Sequence, residues 1–253
     1  VLTLLSVAPG LAAERGATEP EVGTTVLVKK KVTGKLGTDE RQLELGFRVH
    51  RNELLQTGPQ AQAELKLDDN TKLALGPDAE LRLDEYAVAA GNDTKTIALK
   101  LLKGTFRFLT GNNASESYKI ETPSATIGVR GTVFDVYIGP GGDTFVLLHQ
   151  GEVEVCSRAR SCRPHRDVGR VVRATVPGIV SQPMKWTSTL VPGIGVAQAF
   201  PFVGARLVID PVRRLTHNAI TERVAEPVVK GTKRVIEQGG ETIGRTLRKL
   251  SPF

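Results

Sequence analysis

The histidines are the side chains of this chain with the widest chemical repertoire, and their spacing argues against a metal site. The four lie scattered at His50, His149, His165 and His217, with no two at metal-ligand spacing. The sequence contains neither a glycine-rich phosphate loop followed by Lys and Ser or Thr nor a nucleophile elbow. We therefore predict that the protein is not an enzyme and has no catalytic residue, metal ion or cofactor.

An acidic run, Asp68–Thr71, raises the question of a calcium site. It separates two short alternating segments, Ala63–Leu67 and Lys72–Leu75, whose composition is typical of strands. The run lacks the ordered oxygen ligands and the closing Glu of a calcium-binding loop. We interpret it as the turn of a β-hairpin.

A charged pair, Arg130 and Asp135, lies in a segment whose apolar residues change parity. Apolar residues occupy odd positions in the first half and even positions in the second: Ala125, Ile127, Val129, Phe134, Val136 and Ile138. A strand of strict period two cannot place both sets on one face, so we predict a β-bulge at Gly131–Thr132. Arg130 and Asp135 then share the opposite face, where they could pair with each other or with a neighbour, such as Glu121 for Arg130. A structural ion pair is the preferred interpretation over a direct binding role.

The segment Thr122–Val136 resembles the signature of the FecR domain family. The signature residues are Thr122, Pro123, Val129, Arg130, Gly131, Thr132, Phe134 and Val136. Other stretches are similar to the family pattern on either side: Leu43–Gly46, Glu53–Gly58, Leu67–Gly76, Leu102–Phe108 and Gln150–Val155. The resemblance extends over residues 22–180.

The resemblance implies an exported, non-catalytic β domain. The family is best known as the periplasmic sensing part of regulators that relay iron-siderophore uptake to a sigma factor. Those regulators carry a cytoplasmic helical segment and a membrane span ahead of the β domain, and neither precedes the β region here. We therefore expect an exported FecR-type domain, whereas contact with a sigma factor would require a longer native N-terminus.

The N-terminal residues also point to export. A short apolar run, Val1–Ala8, is followed by the small residues Gly10 and Ala12 or Ala13 near a plausible cleavage point, as at the end of a secretory signal peptide. The run is too short to span a bilayer, which needs about 20 apolar residues. An ordinary buried segment is the alternative.

The two cysteines, Cys156 and Cys162, enclose a polar and basic loop. In an exported protein such a pair predicts one disulfide, worth ~2 kcal/mol for so short a loop. Zinc is the alternative, but the five-residue spacing is wide for zinc ligands and His165 would add only a third. We expect the disulfide.

Composition favours a mainly β fold and argues against a nucleic-acid partner. Apolar residues make up 40% of the chain, aromatic residues only 5%, and there are 26 glycines, a balance typical of short aliphatic strands and tight turns. The net charge is +7, yet basic residues of the β region alternate with acidic ones and lack interleaved aromatic residues.

A weak internal repeat suggests how the strands are arranged. Leu102–Phe108 and His149–Val155 each have a turn glycine followed by apolar residues two and four positions on. Such units must stack to bury their apolar faces, which predicts an elongated β-solenoid or roll, with a β-sandwich as the alternative.

We divide the chain into five parts. They are a signal-peptide-like segment (1–13), a linker (14–23), the FecR-type β domain (24–180), a Gly/Pro-rich crossing segment (181–211) and a basic helical tail (212–253). In the tail we predict a helix over Val212–Val224.

A second helical stretch in the tail carries an aliphatic line flanked by Lys and Arg. The line is formed by Val229, Ile236, Ile243 and Leu250. We expect it to dock on the β domain, with a partner helix or an anionic membrane surface as alternatives.

Three classes of function remain. The first is a periplasmic sensing or signal-relay module that binds a protein partner of the cell envelope, by pairing a strand or an edge. The second is an envelope structural or glycan-binding domain. The third is a hydrolase of envelope polymers, built from carboxylates that only the fold brings together.

Overall fold

The computed structural model describes residues 19–88, 95–111 and 118–221. By its contacts the chain divides into two units, Val1–Thr221 and Glu222–Phe253. The predicted signal-like segment 1–13 and the aliphatic line of the tail lie outside the described residues.

Short alternating segments separated by turns produce a mainly β structure. The strands are β1 Glu21–Lys29, β2 Val32–Leu36, β3 Asp39–Gln42, β4 Arg48–His50, β5 Leu54–Thr57, β6 Gln62–Leu67, β7 Lys72–Leu75, β8 Glu80–Val88, β9 Lys95–Leu109, β10 Tyr118–Glu121, β11 Ala125–Ile138, β12 Thr144–Ser157, β13 Cys162–His165 and β14 Val171–Ala174. Two single-turn helices follow, α1 Val196–Ala199 and α2 His217–Ile220. The mainly β prediction is confirmed.

All the strands belong to one hydrogen-bonded network. Its main path runs β13-β12-β11-β10-β9-β7-β6-β1-β4, and the remaining strands branch from it. Among the described strands only β9 and β10 pair in parallel. Solenoid coils stack in parallel, so this antiparallel network is not clearly the predicted solenoid.

Strands β9, β11 and β12 are 14 or 15 residues long, and each changes partners along its length. The first half of β11 pairs with β10, and the second half pairs with β9. These exchanges curve the network around a continuous aliphatic core that contains the apolar residues of both halves of β11.

The predicted bulge in β11 is confirmed. The register with β12 slips between Arg130 and Val133, and Gly131 has φ +59°. After the slip Phe134 and Val136 enter the same core as Ile127 and Val129. One left-handed residue therefore places two out-of-phase apolar sets on one face.

The crossing segment packs on the outer face of the sheet. Trp186 and Phe200 join Tyr137 and Phe145 in an aromatic cluster, with ring centroids of Trp186 and Phe200 5.2 Å apart. Thr105 Oγ1 donates a hydrogen bond to the carbonyl of Ala199 at 3.0 Å. The segment thus forms a second layer over β9, β11 and β12.

Two sequence boundaries are placed differently. Strand β1 begins at Glu21, inside the predicted linker, because Glu21 already pairs with His50 of β4 and Gly23 with Leu67 of β6. Within the described part of the predicted 212–224 helix, only α2 is helical. Asp210, two residues before the predicted helix, pairs with Arg214 at 3.2 Å.

Candidate functional site

The signature residues are mostly internal. Val129, Thr132, Phe134 and Val136 are buried, as is Thr122. At the turn into β11, hydroxyl groups form a buried chain: Ser124 Oγ lies 2.8 Å from Thr144 Oγ1, which lies 2.7 Å from Thr122 Oγ1. Pro123 is half-buried beside them. The buried positions fix the turn and the bulge.

Asp135 lies in a buried ion pair, but with a partner that the sequence did not predict. Arg107 on β9 stands directly opposite it in the register and donates from Nε to Oδ1 at 2.6 Å and from a terminal nitrogen to Oδ2 at 2.8 Å. Glu121, the other predicted neighbour, pairs with Lys119. The side chain of Arg130 lies outside the described residues. The signal for Arg107 in the sequence is a charge between two phenylalanines, Phe106 and Phe108.

Two further groups complete this buried cluster. His149 Nε2 lies 3.0 Å from Asp135 Oδ2, and Asp210 of the crossing segment lies 3.7 Å from Arg107. Burial disfavours the Asp135 carboxylate, but Arg107 and His149 outweigh it and lower its pKa from 3.8 to about 2. Through Asp210 the cluster holds the crossing segment on the sheet. Because its side chains are closed to solvent, a substrate cannot reach them.

A cleft of about 810 Å³ lies between the sheet and the crossing segment. Its walls come from the β7–β8 turn, the middle of β9, the β11–β12 turn and α1. The lining residues are Pro77, Asp78, Glu80, Leu102, Lys103, Gly104, Thr105, Tyr137, Ile138, Gly139, Pro140, Gly142, Ile194, Ala197, Gln198 and Pro201. We call this the cleft.

The cleft is apolar along its length and charged at one wall. Leu102 is 39% exposed at its surface, and Tyr137 contributes a phenol whose pKa is raised by burial. Glu80 and Lys103 stand opposite each other in the β8–β9 register, with Asp78 beside them. The two strands at the floor of the cleft, β9 and β11, already pair with each other, with Gly104 opposite Ile138.

The predicted cysteine pair and the predicted acidic turn form structural contacts. Cys156 and Cys162 face each other on β12 and β13 and form the predicted disulfide. The Asp68–Thr71 run is the β6–β7 turn, as predicted, with Asp69 Oδ1 accepting the backbone N–H of Thr71 at 2.9 Å. Within residues 19–88, 95–111 and 118–221, no three His, Cys, Asp or Glu residues are grouped so as to hold a metal ion.

A family model described as FecR protein matches residues 53–154. This range lies inside the stretch recognised from the sequence and includes the whole signature, so the predicted resemblance to the FecR family is confirmed for residues 53–154. Among curated proteins, none matches the chain.

Two solved structures are similar over part of the chain, both of a candidate anti-sigma factor from Parabacteroides distasonis ATCC 8503, at 1.65 Å and 2.50 Å resolution. Each is 18% identical to this chain, and each match covers 51% of this chain, with TM-scores of 0.41 and 0.40. The chain spans 57% of the length of those chains. In the part of this chain that the structure describes, no helix is long and apolar enough to cross a membrane.

Proposed function

We propose that the protein is an exported, non-catalytic signal-relay module of the bacterial envelope, and that its cleft receives a segment of a protein partner. The cleft itself is the observation that carries this proposal. It is lined by the middle of β9 and the end of β11, which lie within the FecR match at residues 53–154. The crossing segment completes it.

The character of the cleft favours a peptide segment. A volume of about 810 Å³ can take a few side chains, and an exposed Leu102 with a half-buried Ile194 offers apolar surface where a partner could exclude water. Glu80 and Lys103 would orient polar or charged groups at one wall. Because the floor strands are already paired, the partner would bind through its side chains and not by adding a strand.

The lining also argues against a serine or cysteine hydrolase. The carboxylates Asp78 and Glu80 are accompanied by Lys103, but the lining contains no histidine, serine or cysteine to form a nucleophile with a neighbouring base. The buried cluster around Asp135 does not line the cleft. Recognition without turnover is therefore the function that this geometry supports best.

Site-specific photo-crosslinking in the native host tests the proposal. A photoreactive residue at Leu102 is expected to form an adduct with one envelope protein, and Lys103→Glu is expected to reduce that adduct. The matched control is Leu45, which is 68% exposed and does not line the cleft. The same adduct from both positions would contradict the proposal, and so would retention of the protein on purified cell wall without any Leu102 adduct, which would favour glycan binding.

A further inference from the structure

A surface separate from the cleft combines exposed arginine and aliphatic side chains on two adjoining turns. One turn joins β12 to β13 and presents Arg158 and Arg160, and the turn that follows β14 presents Val176 and Ile179. Val176 is 50% exposed and Ile179 66%. We call these four residues the arginine–aliphatic surface.

Both turns are held firmly. The Cys156–Cys162 disulfide closes the first turn, and the N–H of Ser157 donates to the carbonyl of Ser161 at 2.8 Å. In the second turn, Asp143 Oδ1 accepts the N–H of Val176 at 3.0 Å.

The two turns also contact each other. A Cβ at Gly178 would lie only 2.7 Å from the Cβ of Ala159. The arginines and the aliphatic side chains therefore project from one rigid platform.

Two arginines near this surface are already paired with carboxylates. Arg166 is paired with Glu152, and Arg173 with Asp143. Within the part of the chain that the structure describes, no carboxylate lies within ion-pair distance of Arg158 or Arg160, and both are exposed. Their charge is available to an anionic partner.

We propose that the arginine–aliphatic surface docks on the anionic surface of a lipid bilayer. Val176 and Ile179 would enter the boundary between headgroups and acyl chains, while Arg158 and Arg160 contact lipid phosphates. Two exposed aliphatic side chains are too few for a stable protein interface, which buries about 800 Å² on each partner. They suit shallow insertion, where a small apolar area and unpaired cations act together.

Vesicle co-sedimentation of the full chain tests this proposal. The vesicles contain phosphatidylglycerol and phosphatidylethanolamine, and phosphatidylcholine vesicles serve as the neutral comparison. Binding to the anionic vesicles is expected to fall about tenfold or more in Arg158→Glu/Arg160→Glu and in Val176→Ser/Ile179→Ser. The matched control is Lys35→Glu/Lys66→Glu, which makes the same change in net charge at exposed positions elsewhere and is expected to bind within about threefold of the unmodified protein.

Three results would overturn the proposal. They are the absence of wild-type binding to anionic vesicles, unchanged binding of both test variants, and an equal loss in the control. Thermal unfolding of each variant checks that it folds. If the charge reversal does not fold, Arg158→Ser/Arg160→Ser replaces it, with the same expected direction.

Discussion

The guanidinium of Arg107 and the carboxylate of Asp135 face each other across β9 and β11, joined by hydrogen bonds of 2.6 and 2.8 Å, with side chains only 2% and 0% exposed. Arg107 also lies over the ring of Phe202, 5.9 Å from its centroid, and 3.7 Å from Asp210. One buried cation therefore joins the signature strand to the crossing segment that forms a wall of the cleft.

Replacing Asp135 with Asn should destabilise the protein strongly. The substitution leaves Arg107 buried without its main counter-charge, which typically costs about 3 to 5 kcal/mol. The control is Asp68→Asn, which removes the charge from an exposed pair with Arg48 and should cost at most about 1 kcal/mol. Urea denaturation measures both, and equal losses in the two variants would contradict the expectation.

Asp135 should also make stability depend on acid. Its folded pKa is lowered from 3.8 to about 2, so its contribution is complete above pH 4 and is lost as pH falls toward 2. The shift corresponds to roughly 2 kcal/mol at neutral pH. Urea denaturation from pH 6 to pH 2.5 should show a shallower acid loss in Asp135→Asn than in the unmodified protein, and parallel pH profiles would refute the assignment.

His165 should add a second pH dependence at higher pH. Burial lowers its pKa below 6.5, so the unfolded chain takes up a proton there before the folded one does. Its contribution is therefore present above pH 6.5 and is lost as pH falls below that value. A His165→Gln variant should lose less unfolding free energy between pH 7.5 and pH 5.5, and an unchanged slope would argue against it.

Gly131→Val should destabilise by about 1 to 3 kcal/mol because φ at this position is +59°. A Cβ at Gly131 would meet no atom within 4 Å, so the cost would come from the backbone conformation and not from a clash. Gly128→Val, in the same strand, is the control, since a Cβ there makes only ordinary contacts at 3.8 Å. Equal melting temperatures for the two variants would remove the bulge argument.

The Cys156–Cys162 disulfide should contribute about 2 kcal/mol, because it closes a very short loop. Protein purified from an oxidising compartment should have no titratable thiol before reduction and two after it. Dithiothreitol should lower the melting temperature of the unmodified protein and leave that of Cys156→Ser/Cys162→Ser unchanged. Two free thiols in native protein would contradict this expectation.

The sequence predicted features that depend on near neighbours along the chain. The bulge follows from a change of parity within one strand, and the disulfide joins residues that pair across one hairpin. The Asp68–Thr71 turn is equally local. In each case a few consecutive residues contain the whole signal.

Features built from distant segments could not be predicted. Arg107 and Asp135 are 28 residues apart in the chain and pair because the register of β9 and β11 places them opposite each other. Neither strand alone specifies that register. The cleft needs four separate segments, one of them the crossing segment that the sequence described only as apolar and broken by Gly and Pro. Within the described part of the predicted 212–224 helix only His217–Ile220 is helical, and Asp210 just before it lies in ion pairs with Arg107 and Arg214, the first of them more than 100 residues away.

A contact between Glu64 and Ile209 has a consequence for the order of folding. Glu64 on β6 is almost wholly buried, and its Oε2 accepts the backbone N–H of Ile209 at 2.9 Å, from 145 residues later in the chain. Contacts of such long sequence separation are slow to form. During synthesis, the Glu64 carboxylate cannot accept this hydrogen bond until Ile209 has been added to the chain, when most of the domain has already been made. A chain that ends before residue 209 would therefore bury a carboxylate without this donor, and the segment matched by the family model cannot reach its final packing on its own.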